Sequence, residues 1–147
     1  MINFVEGNIL ETACDILVVP TNTKGVAGAG LALAVKQKYP EWFIDYKDNC
    51  LNYKLKGGDC LWYATTSSPQ YFCSIMTKED WHYQSRLDWV CKGLQHLSVT
   101  VDSFPTVDVV NVPLLGCGKG GLDVKVVKRE MVKALKDSNK LFRVFDN

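Results

Sequence analysis

Apolar and polar positions along this chain follow two rhythms. Short runs rich in β-branched and aromatic residues read as strands: Ile2–Glu6, Ile16–Pro20, Asp59–Thr65, Tyr71–Met76, Thr106–Leu115 and Leu141–Phe145. Between them, apolar residues recur at helical spacing. Leu31, Ala34, Val35 and Tyr39 form one stripe, and Phe43, Tyr46 and Cys50 a second. Leu87, Val90, Cys91, Leu94 and Leu97 form a third, and Val124, Val127, Met131 and Leu135 a fourth. Pro40 stops the first helix and suits the first turn of the second. Ser85-Arg86-Leu87-Asp88 has the form of a helix start. Gly7-Asn8, Gly57-Gly58 and Ser67-Ser68-Pro69 read as turns. Thr106–Leu115 is nearly continuous β-branched and apolar sequence, as expected of a strand covered on both faces. Strands alternate with helices throughout, which predicts an α/β fold: a mixed, mostly parallel sheet between layers of helices. No repeat, linker or low-complexity stretch divides the chain, so residues 1–147 are expected to form one domain.

Two glycine-rich segments stand where a strand passes into a helix. The first is Asn22-Thr23-Lys24-Gly25-Val26-Ala27-Gly28-Ala29-Gly30, and the second is Gly116-Cys117-Gly118-Lys119-Gly120-Gly121. Glycine lets backbone N–H groups approach an anion closely, and a helix N-terminus behind the loop adds positive potential. Two such loops suggest one ligand carrying two phosphates, held between the carboxyl ends of neighbouring strands.

Familiar nucleotide motifs do not account for them. Gly116, Gly118 and Gly121 satisfy the G-x-G-x-x-G spacing, but only 26 residues follow Gly121, too few for a second βαβ half. Lys119 is followed by glycine, so the hydroxyl that a triphosphatase loop offers to magnesium is missing.

Composition narrows the picture further. With 47% hydrophobic and 22% charged residues, the chain reads as an ordinary globular protein. A net charge of +1 gives no basis for general binding to nucleic acid or membrane. The six cysteines, Cys14, Cys50, Cys60, Cys73, Cys91 and Cys117, sit mostly in apolar runs without a C-x-x-C pair, and no signal-peptide pattern opens the chain. Free thiols and a cytoplasmic location are expected. His82 and His96 lack ligand-like spacing to cysteine, so no zinc site is expected.

The two loops, in this order and at this spacing, resemble those of the macro domain, a module that binds ADP-ribose. The resemblance covers essentially the whole chain. Gly7-Asn8-Ile9-Leu10 matches the opening motif, Thr21-Asn22-Thr23 through Gly30 the first loop, and Leu115–Leu122 the second. Gly25–Gly30, Tyr39-Pro40 and Met76-Thr77-Lys78 are similar to the branch that contains the terminal ADP-ribose protein glycohydrolase and the antitoxins that reverse ADP-ribosylation of DNA bases. That resemblance implies a three-layer α/β/α fold and an ADP-ribose pocket. Asn8 and Ile9 would meet adenine, with Asn8 standing where the family usually has aspartate. Phe145 would stack on the adenine ring, or fill the core of an edge strand. Asn22, Gly28, Ala29 and Gly30 would lie near the distal ribose. Leu115, Gly116, Cys117, Gly118, Lys119, Gly120 and Gly121 would cradle the pyrophosphate, with Cys117 a small contact and not a nucleophile.

The resemblance also implies a role for Lys78: attack on, or polarisation of, the anomeric carbon of the distal ribose. From the residues alone, Lys78 reads as a solvated lysine beside Glu79 and Asp80. The protein-directed glycohydrolase carries an aspartate in its second loop where this chain has Gly120. The antitoxin-like members lack that aspartate, as this chain does. Trp81 and His82 belong to a loop at the pocket mouth, where they would either contact whatever is attached to the ADP-ribose or pack the loop. Lys125, Arg129, Lys133 and Lys136 make a basic stripe that reads as an outer helix face. The expected function is hydrolysis of ADP-ribose derivatives on a nucleic acid base or a protein side chain. Removal of phosphate from ADP-ribose 1″-phosphate, and non-catalytic reading of ADP-ribose, are the alternatives. No cofactor is expected, and a monomer that does not engage membranes is.

Overall fold

Every apolar run becomes the element its rhythm predicts, with ends that move by a few residues. The computed structural model describes all of Met1–Asn147. Its strands are β1 (Ile2–Val5), β2 (Ile16–Asn22), β3 (Cys60–Ala64), β4 (Tyr71–Lys78), β5 (Val109–Pro113) and β6 (Leu141–Phe145). Its helices are α1 (Gly30–Lys38), α2 (Pro40–Asn52), α3 (Leu87–Val101) and α4 (Val124–Leu135). They form one six-stranded sheet in the order β1-β6-β5-β2-β4-β3. All neighbours are parallel except β3, which runs antiparallel to β4 at the edge.

The sheet separates two apolar layers. Alternate residues of β2 point to opposite faces, as the two-residue period of a strand requires. Ile16 and Val18 join Val90, Leu94 and Leu97 of α3 and Val127, Met131 and Leu135 of α4. Leu17 and Val19 join Val35 of α1 and Trp42 and Tyr46 of α2. Each such aliphatic side chain contributes about 1.5–3 kcal/mol when fully buried, so β2, packed on both faces, anchors the fold.

Several boundaries and faces differ from the sequence reading. On α2 the buried positions are Trp42 and Tyr46, while Phe43 and Cys50 are half-buried. The stripe turns because the Trp42 indole donates to Ser74 Oγ of β4 at 3.0 Å and stacks on Tyr46. Helix α3 begins at Leu87 and has no side-chain cap. Ser85 instead turns inward, 5% exposed, and its Oγ lies 3.3 Å from Thr77 Oγ1. Phe145 is not on an edge strand, since β6 lies between β1 and β5.

The ends of β2 and β5 create an opening in the sheet. These strands pair only at Ile16 with Val110 and Leu17 with Asn111. Beyond that they run on to Asn22 and Pro113 without a shared ladder. Pro20 and Pro113 have no amide hydrogen with which to continue it. The seam therefore opens toward the carboxyl ends of the strands. Helix α1 leaves β2 toward one face and α4 leaves β5 toward the other. A crevice of this kind, where neighbouring connections diverge, is where open α/β sheets take their ligands.

Candidate functional site

Because five strands are parallel, their carboxyl ends share one edge. Across that edge the strand order places Asn8 (after β1) and Phe145 (end of β6) first. The second glycine loop follows β5, the first follows β2, and Lys78 closes β4. From β1 to β4 this is four strand spacings, about 19 Å. The residues picked from the sequence thus fall in one line, in the order in which an elongated ligand would meet them.

At one end, Asn8 is exposed and caps a short 3₁₀ turn, Ile9–Glu11, its Oδ1 accepting from Leu10 N at 3.0 Å. The turn role read from its sequence context is therefore present, and an amide oxygen retains a second lone pair for another donor. Ile9 is half-buried against the α1/α2 layer. Phe145 is 7% exposed, with its ring 3.9 Å from where a Cβ on Gly7 would sit. Little of that ring is open to stack on anything.

The second loop is built of bare amides. Leu122 N returns to Gly116 O at 2.9 Å, and Gly121 N to Gly118 O at 3.3 Å. The N–H groups of Cys117, Gly118, Lys119 and Gly120 donate to no protein acceptor. Runs of such amides make anion-binding concavities. Gly116 holds φ +76°, and a Cβ there would lie 2.7 Å from Leu122 Cδ1. Leu115 is wholly buried in the α3/α4 core, so only its backbone can face the crevice. The Cys117 thiol is pushed up by burial and by Asp123, which keeps it protonated and argues against a nucleophile.

The two loops end differently. The N-cap of α1, Ala29, has no side-chain acceptor, which leaves its first-turn amides open. The start of α4 is already satisfied: Asp123 accepts from Lys125 N at 2.9 Å and Val126 N at 3.2 Å. The expectation that a free helix N-terminus stands behind both loops holds for the first only. Gly28 and Gly30 are exposed in that first loop.

Asn22 is 7% exposed and organises the first loop. Its Oδ1 accepts from Lys24 N (3.0 Å) and Val26 N (3.3 Å), and its Nδ2 donates to Val26 O (2.9 Å). Beneath it, Tyr46 Oη donates to Asn22 O at 2.7 Å and accepts from Asn22 N at 3.2 Å. Burial pushes the Tyr46 phenol up, so the pin stays neutral. The sequence marks Tyr46 only as a core position; a tyrosine in place of phenylalanine on a buried stripe is the available signal.

A bulge between Thr21 and Asn22 brings Asn22 opposite Lys78 across the β2–β4 seam. Lys78 is half-exposed and takes part in no ion pair. The acids that follow it are engaged elsewhere. Glu79 Oε2 accepts from Gly57 N at 2.9 Å, and Asp80 Oδ1 lies 2.8 Å from His82 Nδ1. Neither acid pairs with Lys78, which stands half-exposed beside them, as its sequence context reads.

Gly120 sits where no side chain fits. A Cβ there would lie 2.4 Å from both Gly116 O and Ser85 Oγ. Ser85 N also donates to Gly120 O at 2.9 Å, closing the second loop against the segment after β4. The sequence marks Thr77 only as the middle of Met76-Thr77-Lys78 and Ser85 only as a helix start, and neither as a support of the second loop.

The family model for the macro domain matches residues 18–131. The chain belongs to the macro domain family. The fold of this macro domain superimposes on the macrodomain of Thermus aquaticus DarG with a TM-score of 0.93 at 31% identity, covering 100% of this chain and 99% of that one. A structure described as Thermosipho africanus DarTG in complex with ADP-ribose gives a TM-score of 0.91 at 27% identity, covering 98% of this chain and 41% of that one. Among curated proteins, a DNA ADP-ribosyl glycohydrolase of Thermus aquaticus is 34% identical over 137 residues, 92% of this chain. Its Mycobacterium tuberculosis counterpart is 32% identical over 91% of the chain. This macro domain spans 38% of the length of each of these relatives.

Proposed function

We propose that this macro domain holds an ADP-ribosyl group along its carboxyl-edge crevice and hydrolyses the bond between the distal ribose and the DNA base attached to it. Water supplies a hydroxyl to the anomeric carbon and a proton to the departing base, giving free ADP-ribose and the restored base. The observation that carries this reading is the pairing of Lys78 with Asn22 at the far end of the line from Asn8 and Phe145, with its ammonium group in no ion pair. An adenine at Asn8 and a diphosphate on the loop amides place the distal sugar at Lys78. The relatives named as DNA ADP-ribosyl glycohydrolases and the relative solved with ADP-ribose support the same assignment.

In this reading the Gly116–Gly121 amides and the open first turn of α1 take the negative charge of the diphosphate. Tyr46 and Asn22 keep the first loop in shape. Lys78 acts at the anomeric carbon in one of two ways. As a neutral amine it bonds to that carbon as the bond to the base breaks, its proton passing to the base, and water then releases the sugar and restores the amine. As an ammonium it polarises the sugar while water attacks. Gly120 leaves no carboxylate in the second loop, so water reaches the sugar without an acid from that position.

Incubation with ADP-ribosylated single-stranded DNA, ADP-ribosylated protein and ADP-ribose 1″-phosphate tests this directly. Release of ADP-ribose from DNA is expected. Turnover of the phosphate ester alone would make the site a phosphatase, and ADP-ribose binding without any turnover would make it a reader.

A further inference from the structure

The segment after Lys78 is tied to both glycine loops. Thr23 Oγ1 donates to Glu79 O at 2.7 Å at its start, and Ser85 N donates to Gly120 O at 2.9 Å at its end. Between these ties the chain makes a tight turn. Asp80 Oδ1 accepts from His82 N at 2.9 Å and lies 2.8 Å from His82 Nδ1, while Tyr83 N donates to Asp80 O at 3.2 Å. The turn lays the His82 imidazole on the Trp81 indole, with centroids 3.6 Å apart and planes 27° apart. Trp81 is nevertheless 50% exposed. Its stacking partner covers one face of the indole, and the solvent-exposed remainder belongs to a side chain three residues from Lys78. Lys24, whose charge reaches Asp80, and the exposed Lys119 add positive charge from the two loops.

The geometry points to the Trp81–His82 pair as the subsite for the group attached to the distal ribose: a platform on which an unpaired nucleobase stacks, with Lys24 and Lys119 facing the phosphates beside it. This rests on the hydrolase reading and adds what selects the leaving group. A base has a π-face that an ordered indole engages, whatever its sequence, whereas a serine or glutamate linkage has none. Holding the indole in place beforehand avoids the ordering cost a free side chain would bear on binding.

The test measures binding in a Lys78→Ala background, where ligands persist, with Trp81 intact, Trp81→Ala or Trp81→Tyr. Three ligands are titrated: ADP-ribose, an ADP-ribosylated single-stranded oligonucleotide, and an ADP-ribosylated peptide. The oligonucleotide is expected to bind roughly ten- to a hundredfold more tightly than ADP-ribose. Trp81→Ala should erase that gain while leaving ADP-ribose affinity within about twofold, and Trp81→Tyr should keep most of it. The peptide should show no gain. A gain that survives Trp81→Ala, an equal gain for the peptide, or an equal loss for ADP-ribose itself would overturn the proposal. If unaltered protein cleaves none of its substrates but the Trp81-dependent gain is present, the hydrolase reading fails and the platform stands. If modified DNA is cleaved and the gain is absent, the reverse holds.

Discussion

A Cβ added at Gly118 meets nothing within 4 Å beyond its chain neighbours, and one added at Gly28 meets only Val26 Cγ1 at 3.8 Å. Neither residue has positive φ. Glutamate at either position therefore fits the fold, yet it sets a carboxylate where the ligand's own anion is proposed to lie. Gly118→Glu and Gly28→Glu are each expected to abolish ADP-ribose binding by calorimetry without moving the melting temperature. Undiminished affinity in both variants would move the diphosphate elsewhere. Asn8 allows a subtler change. Its Oδ1 already caps Leu10 N, a role aspartate also performs. Asn8→Asp should keep the turn and tighten ADP-ribose binding, because a charged acceptor makes a stronger hydrogen bond than a neutral one. Equal affinity across Asn8, Asn8→Asp and Asn8→Ala would leave this residue a turn former only.

Element by element, the rhythm of apolar positions is a sound guide because each strand and helix buries one face or both. Leu141–Phe145 is legible to the residue, since Phe142 and Val144 are buried with half-buried Leu141 and Arg143 between them, and Phe145 ends the run buried. Thr106–Leu115 reads too long at both ends. Thr106 turns its hydroxyl to Gln70, and Leu115 is buried although it already belongs to the loop, so an apolar residue there says nothing about ladder pairing. Contacts between elements are not legible in the sequence. Tyr46 reaches from α2 to the root of the first loop, and its phenylalanine variant would leave Asn22 backbone groups unpaired in a buried place. Tyr46→Phe should cost about 1–3 kcal/mol in denaturant unfolding and weaken ADP-ribose binding as the loop loosens. The second loop allows an opposite kind of test. Gly120→Asp restores the aspartate of the protein-directed enzymes but drives a Cβ into Gly116 O and Ser85 Oγ. It should lower stability by at least about 1–3 kcal/mol and raise no activity. A gain in turnover at unchanged stability would show that the loop has room the structure denies it.

Over the whole molecule, the order β1-β6-β5-β2-β4-β3 turns residues far apart in sequence into one line along the carboxyl edge. Strand order depends on which connections cross which face, and no local pattern records it. The loops and Lys78 are legible as motifs, while their alignment, the α4 cap and the Trp81–His82 stack emerge only with the fold. The opposite edge of the sheet carries a pH dependence of its own. Burial alone would raise the Asp15 carboxyl, but N–H donors from Asp108 and Val109 and the Gln70 amide hold it below its ordinary 3.8. A depressed value stabilises the fold fully above that pH, and the contribution is lost as pH falls through the folded-state value. Between pH 7 and pH 3 the denaturation midpoint of the unaltered protein should therefore fall further than that of Asp15→Asn. Parallel declines would remove Asp15 from the acid response.

The central claim, that Lys78 performs the chemistry while the loops hold the ligand, is tested most directly by Lys78→Ala measured two ways. Binding to the loops is a ground-state property, whereas help at the anomeric carbon acts on the transition state. ADP-ribose affinity by calorimetry should stay near that of the unaltered protein. The rate of ADP-ribose release from modified single-stranded DNA should fall to nearly nothing. A Lys78→Ala protein that releases ADP-ribose at the unaltered rate would contradict the account.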